Sequence, residues 1–159
     1  MITEMDMKHL RRCVELARTA LEAGDEPFGS VLISADGDVL MEDHNHVAGG
    51  DHTQHPEFAI ARWAAQNMSP EDRSRATVYT SGEHCPMCAA AHGWAGLGRI
   101  VYASSSEQLA SWLSEWGIAP SRVRNLPIQD VIRDCAVDGP VPALAEEVRE
   151  LHRRLHGMS

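Results

Sequence analysis

The stretch TSGEHCPMC, residues 80–88, closes one kind of element and opens another. Before it, ATVYTS (76–81) is a short run rich in β-branched and aromatic residues that reads as a strand. After it, proline follows Cys85, and proline is favoured at the first position of a helix, where its missing N–H costs nothing. Residues 86–96 are therefore expected to be helical, with GRIVYAS (98–104) as the next strand. Cys85 falls at the mouth of that helix and Cys88 lies three residues on, close enough to point the same way. Free N–H groups and the positive end of the helix dipole favour thiolate over thiol at such a place. Two thiolates poised together suit zinc or dithiol redox exchange, and C-x-x-C alone does not separate them.

A second fragment repeats the device. In HPE (55–57), His55 precedes Pro56 as Cys85 precedes Pro86, and PEFAIARWAAQNM (56–68) has a helical pattern. One imidazole and two thiolates leave one position of a tetrahedral zinc open, which marks a catalytic site rather than a closed structural one. A water in that position becomes acidic near neutral pH and needs a proton carrier. Glu57, two residues from His55, is placed to take the proton and hand it on, and its pKa is expected to be raised. A structural zinc-binding module would have no use for that carboxylate. A redox dithiol would instead show reversible oxidation of Cys85 and Cys88 without metal loss.

Outward from these fragments the period of the apolar residues changes several times. MKHLRRCVELARTALEAG predicts an amphipathic helix over 5–23. FGSVLISADGDVLMEDHN predicts a hairpin around Asp36-Gly37, with strands near 28–34 and 38–44. SSSEQLASWLSEWG gives a further helix, PIQDVIRDC a weak short element, and PVPALAEEVRELHRRLHG a terminal helix at about 142–156 with acids early and bases late. Helices alternating with strands argue for an α/β layer with helices on the sheet faces.

A chain of 159 residues is long enough for one compact domain, so a single domain is expected over 1–159. With 43% hydrophobic and 23% charged residues the composition is that of a globular protein. Apolar runs fall short of the roughly 18 residues a membrane span requires, and the N-terminus lacks a secretory pattern, so a cytoplasmic protein with no membrane partner is expected. Cysteines at 13, 85, 88 and 135 do not make a disulfide framework. The net charge of -9 and the scattered 14 Lys and Arg argue against a nucleic-acid partner. His44, His46, His52 and His92 read as ordinary surface or core histidines, and Cys13 as a buried small hydrophobe.

HPE followed by CPMC resembles the zinc-dependent cytidine deaminase superfamily. The likeness extends over most of residues 5–105, through EPFGSVL, HNH, HPEFAIARWAA, YTSGEHCPMCAAAHGWA and GRIVYA. It is strongest to the branch of guanine deaminases, cytosine deaminases and tRNA adenosine deaminases. The resemblance implies a three-layer α/β/α fold around a central mixed sheet. It implies His55, Cys85 and Cys88 as ligands of one Zn2+ per chain and Glu57 as the proton shuttle. It also implies Asn45 as a hydrogen-bond partner of the substrate ring, and Phe28 and Trp94 as residues packing on or near it. Beyond residue 105 the motifs end, and Glu115 is the candidate for a substrate-recognising acid. Proline usually precedes the first cysteine in the family. Here His84 stands there, a polar group beside the metal and a candidate substrate contact.

The reaction so implied is hydrolytic deamination of a free nucleobase or related amino-heterocycle, of guanine, cytosine or s-triazine type, with release of ammonia. Deamination of tRNA adenosine, disfavoured by charge, and of a nucleoside are the alternatives. A homodimer is also implied, with the helix at 142–156 packed on its own chain or swapped onto its partner.

Overall fold

The computed structural model describes residues 1–158, and the chain runs α1 (Glu4–Glu22), β1 (Gly29–Ile33), β2 (Val39–His44), α2 (Pro56–Asn67), α3 (Pro70–Arg75), β3 (Thr77–Gly82), α4 (Pro86–Ala95), β4 (Ile100–Ser104), α5 (Ser106–Glu115), β5 (Val137–Asp138) and α6 (Pro142–Leu155). Single 3₁₀ turns lie at Val47–Gly49 and Ile128–Asp130. The sheet has the order β2-β1-β3-β4-β5. β1 is antiparallel to β2 and β3, whereas β3, β4 and β5 are parallel. It is the mixed sheet that the resemblance implies.

Both faces of the sheet are covered, so β1 and β4 are buried at every position rather than alternating with solvent. On one face Val31, Ile33, Tyr79, Val101 and Ala103 pack with Leu10, Cys13 and Ala17 of α1 and with Leu144, Val148 and Leu151 of α6. On the other, Leu32 and Val78 pack with Ile60, Ala61 and Ala64 of α2, while Ile100 and Tyr102 pack with Ala89 of α4. Strand residues one apart thus feed opposite layers, which is the three-layer arrangement. Gly29 is required where α1 crosses β1, because a Cβ there would lie 2.5 Å from the Cys13 carbonyl oxygen.

Local chemistry accounts for the boundaries. Thr3 accepts from the Asp6 N–H while the Asp6 carboxylate accepts from the Thr3 N–H, a capping box that starts α1. Ser105 and Gln108 do the same for α5. Proline opens α2, α3, α4 and α6. Two elements escape the sequence reading. α3 has no apolar stripe to announce it, and β5 is a two-residue strand held by β4 rather than by its own pattern. Residues 127–135 form only the 3₁₀ turn, with Ile128 fully buried against Ala89 and Tyr102. α6 packs on α1, β3 and β4 of its own chain. No helix among the described residues is long and apolar enough to cross a membrane.

Candidate active site

The start of β1 and the end of β3 lie at one end of the sheet, where the first residues of α2 and α4 converge. His55 is the N-cap of α2 and Cys85 the N-cap of α4. Neither side chain caps its own helix in the usual way, which frees both for a common partner. His55 Nδ1 lies 3.5 Å from Cys85 Sγ and 3.5 Å from Cys88 Sγ. A tetrahedral zinc with Zn–S of about 2.3 Å and Zn–N of about 2.0–2.1 Å sets ligand nitrogen and sulfur about 3.6 Å apart. The two nitrogen–sulfur separations therefore match edges of a tetrahedral zinc polyhedron, and two thiols with an imidazole are donor chemistry suited to zinc. The residues fit the ion.

Without the ion the three groups share protons. Hydrogen bonding from Cys88, and then from His55, draws the Cys85 thiol down to about 4 against the cost of burial. The hydrogen bond to Cys85 raises the His55 imidazole to about 9. Cys88, which donates to Cys85 and is buried, is pushed upward. A divalent cation would replace these shared protons.

Glu57 is the second residue of α2, is 5% exposed, and lines a cleft together with His55 and Cys85. Its Oε1 is 2.9 Å from the hydroxyls of both Ser30 on β1 and Thr80 on β3. Burial raises its pKa, opposed by the His55 charge and the Thr80 hydrogen bond. One oxygen is thus anchored by the sheet, and the carboxyl is biased toward holding a proton.

The rest of the lining comes from separate segments of the chain. Phe28, Glu83, Ser104, Ser105, Ser106, Leu109, Asn125 and His152 complete the lining. Glu83 accepts from Ser106 N–H at 2.9 Å and from Ile128 N–H at 2.8 Å, tying the start of α5 and the 3₁₀ turn to the end of β3. His152 of α6 meets Phe28 edge-on, with ring centroids 5.0 Å apart. Its burial, and then the charge of His156, lower its pKa to about 3, so it presents a neutral ring.

The structure brings His55, Glu57, Cys85, Cys88 and Phe28 together and leaves other sequence candidates elsewhere. Asn45 is buried beside Phe28, whose carbonyl accepts from the Asn45 N–H at 3.0 Å. Its Oδ1 accepts from the Glu26 and Val47 N–H groups, and its Nδ2 is buried with no partner. His84 is buried with both ring nitrogens unpartnered, its ring 5.4 Å from that of His92, and it is not part of the cleft lining. Trp94 is 92% exposed near the end of α4, away from Cys85 and Cys88 at its start. Glu115 ends α5 and pairs with Arg149 at 3.2 Å. It lies six residues beyond Leu109, the last α5 residue of the lining, about 9 Å along the helix. His152 and Glu83 were missed by the sequence reading. Glu83 sits within the quoted motif and could have been suspected, whereas nothing local marks His152.

The family described as cytidine and deoxycytidylate deaminase zinc-binding region matches residues 3–104. The probable cytosine deaminase of Schizosaccharomyces pombe is 31% identical over 119 residues, 75% of this chain and 72% of that protein. The guanine deaminase of Bacillus subtilis is 32% identical over 130 residues, covering 77% and 83%. Its X-ray structure superposes with a TM-score of 0.57 over 76% of this chain and 82% of that one, at 30% identity. The tRNA-specific adenosine deaminase of Haemophilus influenzae is 32% identical over 104 residues, 65% of this chain and 60% of that protein.

Proposed function

This chain belongs to the cytidine and deoxycytidylate deaminase family, and we propose that it hydrolyses the exocyclic amine of a free nucleobase or related amino-heterocycle. Guanine and cytosine, named in two of its relatives, and s-triazines are the substrate class. The observation that carries the reading is Glu57, a buried carboxyl anchored by two hydroxyls beside three groups with the spacing of zinc ligands.

Zinc held by His55, Cys85 and Cys88, one ion per chain, would supply Lewis acidity that brings the pKa of a water toward about 7. The remaining work belongs to the chain. Glu57 would take a proton from the attacking water at the carboxylate oxygen not engaged by Ser30 and Thr80. It would deliver that proton to the ring nitrogen as the water's oxygen bonds to the amine-bearing carbon, then carry the proton of the new hydroxyl to the amine, so that the C–N bond breaks and leaves a carbonyl and ammonia. Phe28 and His152, set edge to face, offer aromatic surface against which a planar ring can pack. In this reading Asn45, whose buried Nδ2 is unpartnered beside Phe28 though outside the cleft lining, would donate to a ring carbonyl or nitrogen.

The net charge of -9 favours a small base over tRNA, because a phosphate backbone would meet a repulsive surface. A homodimer belongs to the same reading and is checked by sedimentation. Zinc-loaded protein should release ammonia from at least one of guanine, cytosine, adenine, their nucleosides and aminotriazines. Activity on a tRNA anticodon stem with none on any free base would reverse the choice of substrate.

A further inference from the structure

Outside the cleft, the loop between α1 and β1 meets the end of β2 and gathers three metal-binding side chains. One ring nitrogen each of His44 and His46 and a carboxylate oxygen of Asp25 lie within 4.8 Å of one another. The two imidazole centroids are 4.4 Å apart. Asp25 is 7% exposed, and its carboxylate's one hydrogen bond among the described residues comes from the Ala48 N–H at 2.9 Å. The ion pair in this group joins His46 to Asp43, leaving the Asp25 charge without a cationic partner among the described residues. A buried carboxylate in that position costs free energy that a bound cation would recover.

The histidines are also oriented for an ion. His44 Nδ1 is 2.9 Å from the Asn45 carbonyl oxygen, and His46 Nε2 is 3.0 Å from Asp43 Oδ1. Both partners are acceptors, so a hydrogen on each of those nitrogens would leave the other ring nitrogen with a lone pair for an ion. Histidines that ligate metals are held in this way, with the second nitrogen donating to a carbonyl or carboxylate.

We propose that Asp25, His44 and His46 form a second divalent-metal site, oriented by Asp43, for a borderline ion such as Zn2+, Co2+ or Ni2+. Two imidazoles and a carboxylate, with no sulfur, suit these ions better than Mg2+ or Ca2+. The site is independent of the deaminase reading. An ion here grips both chain neighbours of Asn45 and so holds the backbone that carries it.

Metal-free full-length protein titrated with Co2+ gives the test. One equivalent should produce the thiolate-to-cobalt absorption of the His55, Cys85 and Cys88 site, and a second should bind without adding to that band. His46→Ala, half exposed and outside the core, should weaken only the second event. A loss of about tenfold or more is expected, and Asp43→Asn should cost about tenfold through lost orientation. In the unsubstituted chain, Co2+ beyond the first equivalent should broaden the His44 and His46 imidazole proton resonances. A single equivalent bound even at millimolar free cobalt, or a second event unchanged in both His46→Ala and Asp25→Asn, would overturn the site.

Discussion

The two walls of the cleft are built by different means. The wall holding His55, Glu57, Cys85 and Cys88 comes from two helix starts, each fixed by a proline and a spacing of two or three residues. The facing wall draws Ser104–Ser106, Leu109, Asn125 and His152 from separate segments, brought together by the register of β4 and the packing of α5 and α6. Proton and metal chemistry needs a few atoms at fixed separations, which a rigid helix start supplies locally. A substrate-shaped wall needs only a surface, and many long-range packings can make one.

Substitutions at the first wall should have the largest effects. Cys88→Ser removes a ligand sulfur that is fully buried, and zinc at this site should fall from about one per chain to near zero, with ammonia release lost. Glu57→Gln should keep the zinc, measured by elemental analysis, while lowering kcat by about 10²–10⁴-fold, the usual reach of a general acid–base group. Normal turnover by that variant would break the distinction between the walls, because the carboxyl would then be only a buried neighbour.

His152 sharpens the comparison from the other side. Its folded pKa of about 3 lies below the roughly 6.5 of an unfolded histidine. Its contribution to stability is therefore present above about pH 6.5 and is lost as pH falls toward 3, with a slope of at most about 1.4 kcal/mol per pH unit. His152→Phe should flatten that part of the stability curve, measured by denaturant unfolding across pH. On substrate it should raise KM by about tenfold or less, the scale of one altered packing contact, and leave zinc in place. The smallest effect is expected at Glu115→Gln, whose partner is Arg149 rather than the cleft. An exposed ion pair is worth about 0–1 kcal/mol, so kcat/KM should stay within about twofold.

The same contrast explains what the sequence disclosed. The helix–hairpin–helix–strand order, the hairpin at Asp36-Gly37 and both proline-marked helix starts were legible, since period and turn chemistry are local signals. α3 and β5 were not, because one is a polar turn of helix and the other borrows its strand pairing from β4. That His55, Glu57, Cys85 and Cys88 come together could be read from spacing. Trp94 and Glu115 were placed by motif neighbourhood and by region, and burial and ion pairing put their side chains elsewhere. His44 and His46 read as ordinary histidines because their companion Asp25 is nineteen residues before His44 and meets them only through the fold.

X-ray absorption at the zinc edge, on protein loaded with one equivalent of zinc, interrogates the ligand set directly. Two sulfur scatterers at about 2.3 Å with two lighter atoms at about 2.0 Å are predicted, one light atom from His55 and one from solvent. A shell of four protein ligands, or zinc without sulfur, would contradict a catalytic centre at these helix starts.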